Sequence, residues 1–229
     1  MTTLKNRFII LQTESTIDEV AELLNRQQYS ENAGMGIISR VLGKDHFAAT
    51  FTEKQRLVES INYPNGEVEE RESFKYSYIN FKLRKIEGGK ILLQLINAPL
   101  SIKNFIKFLS NLTEETYIER YNFSLKAFLD NLRESRDITN FEVKCLTASS
   151  LRFTKKSAAK IELFSEFDAL KELESVYGET GYVIKKVLLR VNSLDGVDEV
   201  SASSSGTITY SSAMNERFLI ESFLASLNI

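Results

Sequence analysis

Glu142 and Lys144 stand two residues apart in the stretch Phe141-Glu142-Val143-Lys144. Side chains alternate along a strand, so both would share one face. A carboxylate and an ammonium so placed can face a magnesium ion and a scissile phosphate, with a further upstream acid completing the metal site. Asp130 and Asp137 are the candidates for that acid.

This spacing resembles the motif of metal-dependent nucleases of the PD-(D/E)xK type, although the Pro-Asp element is missing. Chance is a strong competitor. With 31 acidic residues and 17 lysines in 229 positions, about two such tripeptides arise from composition alone. Glu142 with Lys144 is the single instance. A solvated strand face explains it better, and no catalytic residue is favoured. Magnesium enters only with the nuclease reading, and no cofactor is otherwise expected.

Other reactive groups are scarce. The chain has one histidine, His46, and one cysteine, Cys145. Imidazole and thiolate are the groups that change protonation nearest neutral pH. His46 reads as an ordinary strand-end residue, and Cys145, between Lys144 and Leu146, as a buried small hydrophobe. A zinc site wants three or four such ligands, which this count excludes. Asn32-Ala33-Gly34-Met35-Gly36 follows a helix and lacks the Lys-Ser/Thr ending of a phosphate-binding loop, so it reads as a connection.

Charge is patchy. Val143 to Ile161 holds Lys144, Arg152, Lys155, Lys156 and Lys160 and no acid. Arg152, Lys155, Lys156 and Lys160 are the candidates for nucleic-acid contact, since Phe153 and neighbouring hydroxyls could add stacking and phosphate bonds. Lys82, Arg84, Lys85 and Lys90 form a second cluster, and Lys185, Lys186 and Arg190 a third. Lysine on a strand edge also serves simply to discourage aggregation. Glu67, Glu69, Glu70 and Glu72 make an acidic arm beside Pro64-Asn65-Gly66. Opposite patches suit contact with a partner or with a second copy. Tyr76 and Tyr78, or Tyr117 and Tyr121, would add an adhesive surface.

The elements that must carry these groups follow from periodicity. Phe8 to Leu11 reads as a strand. Thr16 and Glu19 have capping-box spacing before Ile17, Val20, Ala21 and Leu24, one face of a helix. His46 to Ile96 reads as an antiparallel meander with a turn at Tyr63-Pro64-Asn65-Gly66. Within it the apolar phase slips from Phe74, Tyr76 and Tyr78 to Ile79, Phe81 and Leu83. That slip predicts a β-bulge or a strand passing between two cores. Ile102, Phe105, Ile106 and Leu109 give a helix that Ser101 would cap. In the second half, Leu125 to Leu132 is helical, Phe141 to Leu146 and Ala159 to Phe164 are strands, and Ser165 to Tyr177 is a helix. Tyr182 to Val191 is a strand, Asp195-Gly196 a hairpin turn, and Val197 to Tyr210 two strands around Ser203 to Gly206. A last helix carries Ile220, Phe223, Leu224 and Leu227.

The predicted fold is therefore α+β: antiparallel meanders packed with amphipathic helices, organised as two similar halves, 1–113 and 122–229, with a single domain as the alternative. The 43% apolar and 26% charged content is that of a globular chain. The formal charge of −2 gives nucleic acid no overall support. One cysteine, a short N-terminal apolar run and no long apolar stretch point to a cytoplasmic protein without membrane attachment. The function read by elimination is a non-enzymatic binding or adaptor protein in a cytoplasmic assembly, oligomeric or held by a protein partner. The alternative is nucleic-acid engagement through Lys144 to Lys160, with or without cleavage at Glu142. A small-molecule binding domain is a third class that no residue nominates.

Overall fold

The structure is a computed structural model that describes residues 2–43, 46–112, 116–119, 121–154, 157–178, 181–193, 196–212 and 214–228. The fold is α+β, and its chain forms two compact units. One is Phe8–Glu119, and the other is Met1–Arg7 together with Arg120–Ile229.

The N-terminal unit contains the second half of β1 (Thr3–Gln12), then α1 (Ile17–Arg26), β2 (Met35–Leu42), β3 (His46–Asn62), β4 (Val68–Lys85), β5 (Lys90–Ile96), α2 (Lys103–Ser110) and β6 (Tyr117–Glu119). Its strands lie in the order β2-β3-β4-β5-β1, with β6 also on β1. The capping box is present: the Thr16 side chain accepts from the Glu19 amide, and the Glu19 carboxylate accepts from the Thr16 amide. Val20, Ala21 and Leu24 of α1 join Phe47, Phe51, Phe81 and Phe105 in one buried cluster. The Phe105 ring lies 5.2 Å from that of Phe51 and 5.0 Å from that of Phe81. Tilted rings at this spacing add to the burial of their apolar area.

Two local expectations change here. The β3–β4 register runs without a shift from His46↔Arg84 to Asn62↔Val68, so the apolar phase slip is no bulge. Ile79, Phe81 and Leu83 face the core, while Phe74, Tyr76 and Tyr78 lie on the other face and are exposed. The strand leaves the core at that point. Ser101 does not cap α2, whose N-cap is Ile102 without a side-chain bond. Gly36 has a structural reason: φ is 152°, and a Cβ there would sit 2.5 Å from the Tyr29 amide nitrogen.

The C-terminal unit contains β7 (Asn122–Phe123), α3 (Leu125–Glu134), β8 (Ile138–Thr154), β9 (Ser157–Phe164), α4 (Ala169–Tyr177), β10 (Val183–Ser193), β11 (Gly196–Ser203), β12 (Thr207–Ser211), α5 (Arg217–Ala225) and β13 (Leu227–Asn228). Thr3–Arg7 of β1 pair with β12, giving the order β1-β12-β11-β10-β8-β9. The buried Asn6 amide donates to the Tyr210 hydroxyl, which donates in turn to Glu216. Phe128, Leu129 and Leu132 of α3 and Phe218, Leu219 and Phe223 of α5 are buried. α4 starts later than its periodicity predicts, because the Asp168 carboxylate caps the amides of Leu170 and Lys171. Leu227 belongs to β13, paired with Phe123, and not to the last helix. The Asp195 part of the predicted hairpin turn lies outside the described residues.

Candidate functional site

Glu142 and Lys144 do meet. Their register partners show why: β8 and β10 pair at Cys145↔Leu188 and then Val143↔Leu189, which leaves Lys144 as the extra residue of a bulge. A bulge re-aims a side chain. Here the Lys144 ammonium lies 2.7 Å from Glu142 Oε2 and donates to the carbonyls of Glu166 at 2.6 Å and Phe167 at 3.4 Å. Three acceptors use the three protons of the ammonium. The Lys144 bond holds the Glu142 carboxyl below the ordinary carboxylate range, helped by the charges of Lys144, Arg190 and Lys171. Asp130, on α3, is exposed and accepts from Arg133 at 2.9 Å. Asp137 is exposed in the turn before β8. Among the described residues, no three His, Cys, Asp or Glu side chains gather as a metal-ion site would need.

Cys145 is half-buried, not buried, because the bulge turns it onto the same side as Leu188. Burial and Glu162, whose Oε1 lies 3.9 Å from the sulfur, push the thiol up from its usual value. That is the opposite of what an attacking thiolate needs. His46 is half-buried on β3, and Gly43, lacking a side chain, leaves room for its imidazole.

Of the basic candidates, Lys160 is exposed on β9. Arg152 pairs with Ala158 through the β8–β9 ladder, while Lys155 and Lys156 lie outside the described residues. The ladders also align a row that sequence reading missed: Arg7–Thr207–Ser203–Lys186–Thr147–Glu162, across six strands. A second row runs Lys5–Thr209–Ser201–Leu188–Cys145–Phe164. Directly paired residues share a face, and none of these is buried. The face mixes cations and hydroxyls with the carboxylates of Glu142, Glu162 and Glu199. The spacing of Lys5 and Arg7 carries no hint of this, since their partners lie some 200 residues away.

The acidic arm is larger than its glutamates announce. β2 accompanies β3 only to Met35↔Glu53, and β5 accompanies β4 only from Ile96↔Asn80. From Gln55 to Asn62 and from Val68 to Tyr78, the two strands continue as a ribbon of their own. Leu57, Val58, Val68, Phe74, Tyr76 and Tyr78 are exposed on it. A network anchors its base. Lys54 lies 2.6 Å from Glu31 and 4.2 Å above the Phe74 ring, and the Tyr29 and Tyr76 hydroxyls donate to Glu31. These bonds hold the Glu31 carboxyl below its usual value, Lys54 contributing most. At the tip Gly66 takes φ 88°, and its amide bonds the Tyr63 carbonyl at 2.9 Å.

No protein-family model matches the chain, and no curated protein sequence matches it. The crystal structure of DynU16, a protein of the dynemicin biosynthetic locus, is similar over 96% of this chain and 94% of its own, at 8% identity and a TM-score of 0.24. A score that low carries no argument about fold or function. Among the described residues, no helix is long and apolar enough to cross a membrane.

Proposed function

We propose that this chain is a non-enzymatic binding protein, an adaptor in a cytoplasmic assembly, and that the β3–β4 ribbon is what meets its protein partner. One observation carries the reading. A ribbon beyond the supporting sheet leaves Leu57, Val58, Phe74, Tyr76 and Tyr78 in water, beside the carboxylates of Glu59, Glu67 and Glu70. An isolated two-stranded ribbon is marginal by itself, and an aromatic patch with a charged rim has the composition of a contact surface. The saturated Lys144 ammonium fits this reading too, because a lysine committed to two carbonyls works as an anchor.

The test replaces residues 57–73 with a two-residue Asn-Gly turn and compares recovered partners by cross-linking in cells, with melting temperature as the control. Loss of the partners with unchanged melting supports the reading. An unchanged partner set, or turnover of a substrate that one acidic substitution abolishes, overturns it.

The row from Arg7 to Thr147 favours a second reading, contact with nucleic acid on the open face of the C-terminal unit. Filter binding at two salt concentrations tests it, since phosphate contacts weaken steeply with salt. Cleavage with added magnesium that Glu142→Ala leaves unchanged would remove the nuclease version.

A further inference from the structure

The two edges of the ribbon are not alike. The β4 edge carries Glu69, Glu70, Arg71, Glu72 and Lys75 among its free positions. Charges of this density guard an open strand against pairing. The β3 edge, Gln55 to Asn62, has Leu57, Val58 and Ile61 and only two charged residues, Arg56 and Glu59. Arg56 is already bonded to Glu72 at 2.8 Å. One edge is protected, and the other is open for a strand.

Backbone polarity says which groups that edge offers. The Lys54 amide points to the β2 side, where it bonds the Gly34 carbonyl at 2.7 Å. The Tyr63 amide points to the β4 side, where it bonds Glu67 at 2.8 Å. The register between them is unbroken. Alternation then turns the N–H and C=O groups of Arg56, Val58 and Ser60 outward, and those of Leu57, Glu59 and Ile61 toward β4.

We propose that this edge pairs with its own copy, β3 to β3, antiparallel about a twofold axis at Val58. The inference rests on the binding reading above and names one partner for it, a second copy of this chain. The argument is the self-complementarity of the segment. With Val58 at the axis, the outward groups of Arg56 meet those of Ser60, and Val58 meets Val58. Leu57 then lies opposite Glu59, and Gln55 opposite Ile61. No like charges face each other, and the pairing uses the free edge almost symmetrically. Moving the axis to Arg56 or to Glu59 would set two like charges opposite each other, which is destabilising. A twofold contact of this kind closes, giving a dimer and not a fibre.

Sedimentation velocity on the full-length protein tests the proposal. Wild type is expected to dimerise reversibly with concentration. Val58→Lys and Val58→Glu should each raise the dimer dissociation constant about ten-fold or more, since each places like charges across the axis. An equimolar mixture of the two should restore dimers, which also shows that both variants fold. A wild type that stays monomeric overturns the self-pairing, as does a dimer that Val58→Lys leaves unchanged. Neither result touches the binding reading, which falls on the separate outcomes given for it, among them a partner set that shortening the ribbon leaves intact.

Discussion

Lys144 illustrates how a residue that looks chemical in sequence becomes architectural in the fold. Its ammonium joins Glu142 to the loop before α4, so Lys144→Met should do two things. Loss of the carbonyl bonds costs about 1 kcal/mol, read by chemical denaturation. The Glu142 titration midpoint, followed by carboxyl NMR, should move up toward the ordinary carboxylate value, because Lys144 is the main cause of its depression. The sign follows from linkage. A depressed carboxyl contributes stability above its unfolded pKa and loses it as pH falls through the folded one. Acid sensitivity at this position should therefore weaken in the variant, with only the charges of Arg190 and Lys171 left to sustain it. An unmoved midpoint would mean that the Lys144–Glu142 bond is absent in solution.

At the scale of elements, local signals worked where the partner was local. The capping box needed only Thr16 and Glu19, three residues apart, and α1 begins where they place it. Thr16→Ala should destabilise the protein by about 1 kcal/mol, seen as a lower denaturation midpoint with unchanged slope. The same reasoning failed at Ser101 and at the phase slip after Tyr78. Both depended on where a core begins, which no spacing within the strand records. Aromatic residues at alternating positions look alike whether they enter a core or face water. Phe81 is 1% exposed and Phe74 is 52% exposed, on one strand.

At the scale of the whole chain, the decisive contacts are those of greatest sequence separation. Asn6 and Tyr210 share a buried hydrogen bond across 204 residues, continued to Glu216. Tyr210→Phe removes the hydroxyl that serves both, and should cost about 2 kcal/mol by thermal or chemical unfolding. A variant as stable as wild type would show that β1 is held by its backbone ladder alone. The same separation brings Arg7 and Lys5 into rows with Lys186 and Leu188, a surface no window of sequence could display.

By itself the sequence determined the α+β class, the capped first helix, the meander from His46 to Ile96, the tight turn at Gly66 and the scarcity of groups that transfer protons near neutral pH. These are set by periodicities and turn preferences acting over a few residues, where the chain is its own context. Only the tertiary structure decided that Lys144 is tied to two carbonyls, that the arm outruns its neighbouring strands, and that one of its edges is guarded and the other open. Those properties belong to strands that end at different places, and where a strand loses its neighbour is fixed by pairing with distant segments.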